Sequence, residues 1–510
     1  MKRFLAKVCR FFWSWGFLKF VLWAVTLIAL FYVEEDWRGA RDWAHTKAKW
    51  EAKGESFDFN RLIPPPIPDS ENLGAIPLFK LTPEPESGGQ PGPQALRQAL
   101  HQQNASSNSD IPSLGNWMAG HPPDFDKIDH AIAASYEKIF HAAPTTNDPL
   151  AQFEAIYPFI AEVNAASATH PYCRFDYDYA YQPAYGRQVS SLTLQLLVAR
   201  ILTIHAELAL SQHRPDLAFT DIETELKLAS GERKQPMLIA GLVAQAQVAV
   251  IDGAIFEGLT QHAWSDAQLA QLESDLGHFD FLATDQLDMC GELTGFSLPI
   301  LDWLKTQHAS IGNLFAWING YAPIYARNWA PVYWPSGWFD ANKSASANIL
   351  MESISLTDPA QHRAFPEMGD KLTVRVRGSA RKWDGLAPWK IFSSVALAPV
   401  IDATIHLTRA QVWLDQMRIA CALERYRLTH GVYPATLDEL APAYIAEVPH
   451  DIINGEPYRY RLRPDGTFLL YSVGWNEKDE GGLIVTTAPN PNDPDDSKDK
   501  HGDWVWPTPR

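Results

Sequence analysis

The chain has 510 residues, 46% of them hydrophobic and 12% aromatic, enough for two or three domains with cores of their own. Its formal net charge of −17 argues against nucleic acid as a partner, because phosphate neutralisation needs a clustered basic surface. Four cysteines, Cys9, Cys173, Cys290 and Cys421, contain no C-x-x-C spacing, so neither a zinc knuckle nor a redox pair is expected.

Residues 1–10 carry Lys2, Arg3, Lys7 and Arg10, and residues 11–33 read FFWSWGFLKFVLWAVTLIALFYV. That run is long enough to cross hydrocarbon as a helix, with Lys19 as its one charge and Trp and Tyr suited to the interfaces. Glu34, Glu35 and Asp36 follow at once. The charge asymmetry predicts a single-pass anchor in a bacterial inner membrane, N-terminus cytoplasmic and ectodomain periplasmic. A cleaved signal peptide is the rival reading, but no small-x-small cleavage site follows the apolar run.

Residues 34–56, with Trp37, Trp43 and Trp50, read as a stalk helix that Pro64, Pro65, Pro66 and Pro68 stop. Residues 57–126 are rich in Pro, Gly and Ser and read as a linker region. Residues 127–409 carry helical periodicity. Ser191–Leu210 and Leu217–Ala229 flank a His213-Arg214-Pro215-Asp216 turn, Pro236–Leu259 follows, and Ser265-x-x-Gln268 is a capping-box signature for Asp266–Leu276. Antiparallel helices with short turns predict a bundle or repeat-like ectodomain. Residues 303–338 gather Trp303, Trp317, Tyr321, Tyr325, Trp329, Tyr333, Trp334 and Trp338 among Gly and Pro. Such rings either tie an irregular segment to a core or offer an exposed stacking strip.

In 410–482, Val412, Ile419, Leu423 and Tyr426 share a helical face, Gly431 suits a left-handed stop, and Thr436-x-x-Glu439 opens a short helix over Leu437–Leu440. "PYRYRLRPDGTFLLYSVG" (457–474) predicts a β-hairpin turning at Pro464-Asp465-Gly466. Residues 483–510 form an acidic tail whose "DWVWP" (503–507) is apolar enough to dock back on the protein. The expected fold is therefore mainly α, with an N-terminal transmembrane helix and a small α+β C-terminal module containing a hairpin.

Two stretches carry a family resemblance. "SQHRPDLAFTDIETELKLA" (211–229) resembles the junction of a tetratricopeptide-type helix pair, with Ala218 at the small packing position and His213 where a turn glycine is usual. The run "ALERYRLTHGVYP…LDEL…VPHD…GEPYRYR…YSVG…DEGG" resembles the globular part of the major pseudopilin of type II secretion systems over residues 410–482. That resemblance implies a sheet against the end of a long helix and a calcium site, which on matching positions would use Asp451, Asn476, Asp479 and Glu480. The chain departs from the family at its start. Leu18 follows Gly16-Phe17 and Val21 stands at the glutamate position, so prepilin processing and pilus assembly are not implied. The layout is similar to that of uncharacterised bacterial membrane-anchored proteins.

No G-x-S-x-G, H-E-x-x-H, Walker A or G-x-G-x-x-G occurs. Ser297 lacks the glycine of a nucleophile elbow, His121, His130 and His141 are not at i, i+4 spacing, and Asp176 with Asp178 sits beside aromatic residues. Two function classes follow. The first is a non-enzymatic, membrane-anchored scaffold that contacts the bilayer through residues 11–33 and envelope proteins through its outer domain. The alternative is an envelope enzyme or glycan-binding protein using the Trp-rich region and the nearby Asp302, Asp340 and Glu352.

Overall fold

The computed structural model describes residues 15–79, 123–177, 179, 185–307, 334–382, 397–484 and 502–507. The described chain is mainly helical, with a small antiparallel sheet near its C-terminus. It divides into two compact units, each assembled from distant stretches. One comprises Met1–Phe59, Leu293–Glu352 and Val374–Ala398, the other Asn60–Glu292, Ser353–Thr373 and Pro399–Arg510.

The first unit is built on α1, a single helix over Trp15–Glu51. Anchor and expected stalk are thus one element, because no proline or glycine pair interrupts residues 33–51. It is long and apolar enough to cross a membrane, and none of its most apolar 18-residue stretch is covered by protein. Past that stretch it runs alongside Ser336–Ile354, and the two backbones meet at glycines. A Cβ on Gly39 would lie 1.9 Å from the Gly337 carbonyl oxygen, and one on Gly337 would lie 2.0 Å from that of Glu35. The buried Glu35 carboxylate accepts from the Trp338 indole at 2.7 Å and pairs with Arg38, while Asp36 accepts from the Gly337 amide at 2.9 Å. Asn348 accepts from Lys49 and Trp50. Ile300, Leu301, Leu304 and Phe339 form this unit's own small core, with Phe296, Trp303 and Trp334 against it.

The second unit holds the helical array. We number its helices α2 (Phe125–Phe140), α3 (Pro149–Ile156), α4 (Phe159–Thr169), α5 (Tyr185–Ser211), α6 (Pro215–Glu232), α7 (Leu238–Thr260), α8 (Asp266–Gly277) and α9 (Phe281–Gly291). Leu298–Gln307 (α10), Ser336–Ile354 (α11) and Pro366–Lys382 (α12) follow in chain order. Helix ends follow local chemistry. Pro215 occupies the first turn of α6, and Ser265 and Gln268 make the expected reciprocal cap on α8. His213 and His262, at φ 57° and 52°, take the left-handed turns after α5 and α7. One apolar cluster joins α2–α5 to Leu73, Ile76 and Leu78, so this part of the expected linker is packed. Its "LGAIPL" is apolar enough to be buried.

The second cluster joins α6–α9 to the long helix α13, Ala398–His430, and to the C-terminal sheet. The 410–482 stretch therefore shares its core with the helices before it. Gly431, at φ 79°, closes α13, and its amide bonds the Arg427 carbonyl at 2.7 Å. Leu437–Leu440 forms the short helix, with Glu439 accepting from the Thr436 amide at 3.1 Å. The hairpin pairs Arg459–Leu462 with Phe468–Ser472, registering Leu462 opposite Phe468. Trp504–Val505 then returns as a third, antiparallel strand, with Ser472 opposite Trp504. Three backbone amides, of Glu480, Gly482 and Leu483, hold the Asp503 carboxylate, and Trp504 and Trp506 are buried.

Candidate functional site

The second unit carries a recess of about 380 Å3, within the range of small-ligand sites. Four segments distant in sequence build it. On α13, Ala420, Glu424 and Arg427 fall at i, i+4 and i+7 and so share one face. Opposite them stand Phe256, Leu259 and Thr260 at the end of α7, with His262 in its left-handed turn. The hairpin turn contributes Asp465 to Phe468, and the C-terminal strand leads in Trp506 and Pro507.

At the bottom, the buried Glu424 carboxylate accepts from His262 Nδ1 at 2.8 Å, from Arg427 Nε and Nη2 at 2.7 Å each, and from the Tyr433 hydroxyl at 3.1 Å. A carboxylate only accepts, so Nδ1 carries the histidine proton. The hydrogen bonds to Glu424 raise the Arg427 pKa, and burial together with Glu424 raises that of Tyr433. The bidentate fork and the hydroxyl fill both carboxylate oxygens. Arg427 Nη1 and His262 Nε2 lie outside these bonds. The rings are set at angles: Phe256 and Trp506 meet edge-on at 5.8 Å between centroids, Tyr433 and Phe468 at 5.1 Å. At the rim, Thr467 donates to Asp465 through hydroxyl and amide at 2.7 and 2.9 Å, and these bonds hold the Asp465 carboxyl below its usual range.

The residues singled out in the sequence lie elsewhere. Asp451 is buried and accepts from the Ile453 and Val473 amides and the Ser472 hydroxyl. Asp479 accepts from Tyr471, Arg459 and the Gly481 amide, and Asn476 donates to Glu480. Donors thus face the oxygens that a calcium ion would need as ligands, and the set does not fit a hard cation. Among the described residues no three His, Cys, Asp or Glu side chains gather as a metal site.

In the first unit Lys343 pairs with both Asp302 and Asp340, Lys305 with Asp340 at 2.8 Å, and Arg375 with Glu352. The acids near the Trp-rich segment are therefore in ion pairs. Trp303, Trp334 and Trp338 pack in that unit, while Trp317, Tyr321, Tyr325, Trp329 and Tyr333 lie outside the described residues, as do His121 and Asp178. Ser297 is buried, and Asp176 is exposed beside Arg174. The residues of the recess went unread because Glu424 and Arg427 look like an ordinary solvated i, i+3 pair on a helix end. The one available signal was Tyr433, two residues after the Gly431 stop.

The chain matches no family model, no curated protein and no solved structure.

Proposed function

We propose that the protein is a non-enzymatic, single-pass membrane-anchored binding protein of the bacterial envelope, N-terminus in the cytoplasm, offering the recess of its second unit to a ligand or partner outside. The anchor half of this reading rests on α1 and on the basic residues before it and the acidic ones after it. The binding half rests on one observation: the buried carboxylate of the recess is filled by donors on both oxygens. A general base needs a lone pair aimed at the substrate's proton. Glu424 instead locks three side chains in place, which favours recognition over turnover. The rim carboxylate, Asp465, is kept ionised by Thr467 and serves as an acceptor.

A thiol introduced by Thr260→Cys, half-buried in the recess wall, tests both halves. A membrane-impermeant maleimide should label it in sealed spheroplasts, and more slowly there than in the purified chain, because an occupant shields the wall. Labelling only after the spheroplasts are opened would overturn the topology. Equal rates in spheroplasts and in purified protein would overturn the occupied recess.

A further inference from the structure

We infer that the recess takes a neutral saccharide, one or two sugar rings in size; this rests on the binding role proposed above. Three observations converge on that class. The walls are largely aromatic, with half-buried Phe468 and Tyr433 beside the buried Phe256 and Trp506, and a flat ring with an accessible face stacks on the apolar C–H face of a pyranose. The polar atoms outside the Glu424 cluster include Arg427 Nη1, a donor, His262 Nε2, an acceptor when the ring is neutral, the Thr260 hydroxyl and the second oxygen of Asp465. Arg427, His262 and Asp465 are held by hydrogen bonds, and donors and acceptors set in fixed directions suit neighbouring ring hydroxyls, each of which both donates and accepts.

The third observation is charge. Glu424 cancels Arg427 within the cluster, Asp465 stands ionised at the rim, and the recess lies at the carboxyl-terminal ends of α7 and α13, where the helix dipole is negative. An anionic ligand meets Asp465 and these helix ends, whereas a neutral ligand meets no such penalty, and its hydroxyls use the donor and the acceptors alike. The size agrees, because the space is at the small end of ligand sites.

The test is calorimetric titration of the full chain in lipid nanodiscs, free of sugar-headed detergent. The probes are glucose, N-acetylglucosamine, maltose and cellobiose, with benzoate and tetramethylammonium as charged counterparts. At least one neutral sugar should bind by millimolar concentration, and neither charged probe should compete. Asp465→Asn and Thr467→Val, both at the hairpin turn, should each weaken binding about ten-fold, as loss of one well-made hydrogen bond does, with unchanged melting temperature. Trp506→Ala should abolish binding; because that ring is buried, Phe468→Leu serves as the milder stacking variant and should weaken it. Benzoate or tetramethylammonium binding at the recess with the sugars silent would overturn the saccharide and leave the binding role standing. Silence of every probe would also overturn the saccharide, and the Thr260→Cys labelling rates then decide the binding role separately.

Discussion

Glu424 accepts hydrogen bonds from three side chains, so the effect of removing it depends on what those side chains are left facing. Glu424→Ala strands a guanidinium whose side chain is 24% exposed and a half-buried Tyr433 hydroxyl. Breaking a buried pair by deleting one partner costs about 3–5 kcal/mol, and the partial access of Arg427 to water places this case near about 3 kcal/mol. Glu424→Gln keeps the shape and one acceptor oxygen, so it should cost clearly less. Urea unfolding of both variants measures the difference; equal losses would mean that the charge contributes nothing. Neither the cluster nor its cost was legible from the helix sequence alone, because His262 and Tyr433 come from other segments. By contrast Tyr426, expected on the buried face of α13, sits half-buried at its edge with its hydroxyl on Glu439 at 2.9 Å. Tyr426→Ala should therefore cost less than the roughly 3–5 kcal/mol of a core aromatic.

Helix ends were the most legible part of the fold, since caps and stops are local chemistry. Ser265, Pro215, Gly431 and the Pro464-Asp465-Gly466 turn all stand where the residues themselves place them. Helix α13 was harder. It begins at Ala398, well before the 410 boundary, and both Ile401 with Thr408 on one face and Ala403, Leu407 and Ala410 on the opposite face are buried; a helix covered on opposite sides leaves no clear amphipathic period to read. Two glycines separate the two kinds of element-scale strain. Gly431 has a left-handed φ, and a Cβ there would meet nothing within 4 Å, so Gly431→Ala should cost only the backbone term, about 1–2 kcal/mol. At Gly258, on α7, a Cβ would sit 2.1 Å from the Trp264 ring. That ring is buried and tied by its indole N–H to the Ile255 carbonyl at 3.1 Å, so it has no room to yield. Gly258→Ala should cost about 3 kcal/mol or more, as overpacking at its upper end does. Melting curves that rank the two variants in the opposite order would refute this packing account.

At the scale of the whole molecule, the pattern least visible in sequence is the number of acids inside the second unit. Acids on amphipathic helices ordinarily occupy solvated faces, yet Glu207 on α5, Glu225 and Glu232 on α6, Asp252 on α7 and Asp285 on α9 are buried among neighbouring helices. Because α5 and α7 are covered on nearly all sides, polar positions had no outer face to occupy. Burial pushes the carboxyl pKa of Glu207 and Glu232 up to about 8, and those of Asp285 and Glu292 to about 7. Hydrogen bonds from Tyr177 to Glu232 and from Thr404 to Asp285 oppose the shift without cancelling it. Cys173, Cys290 and Cys421 are free thiols, so no crosslink masks the consequence, and reductant should leave the melting temperature unchanged; a fall of the size a lost disulfide gives, about 2–4 kcal/mol, would contradict that. The sign of the pH effect follows from proton counting. Between the unfolded carboxyl value near 4 and the folded value of 7 to 8, the folded chain holds protons that the unfolded chain has lost. Stability is therefore complete below the unfolded value and falls as pH rises through the folded one, with a slope approaching about 1.4 kcal/mol per pH unit for each such group. His205 adds to the same trend: burial lowers its pKa, but Asp221 at 2.6 Å and Glu154 outweigh burial and raise it, so its stabilising charge is also lost on going alkaline. Melting temperatures of the full chain should drop steadily from about pH 5.5 to about pH 8.5. Glu232→Gln keeps a neutral group bonded to Tyr177 and should flatten that decline, most visibly near pH 8. A melting temperature that is level or rising across this range would show that these carboxylates reach water or a counter-ion in the folded protein.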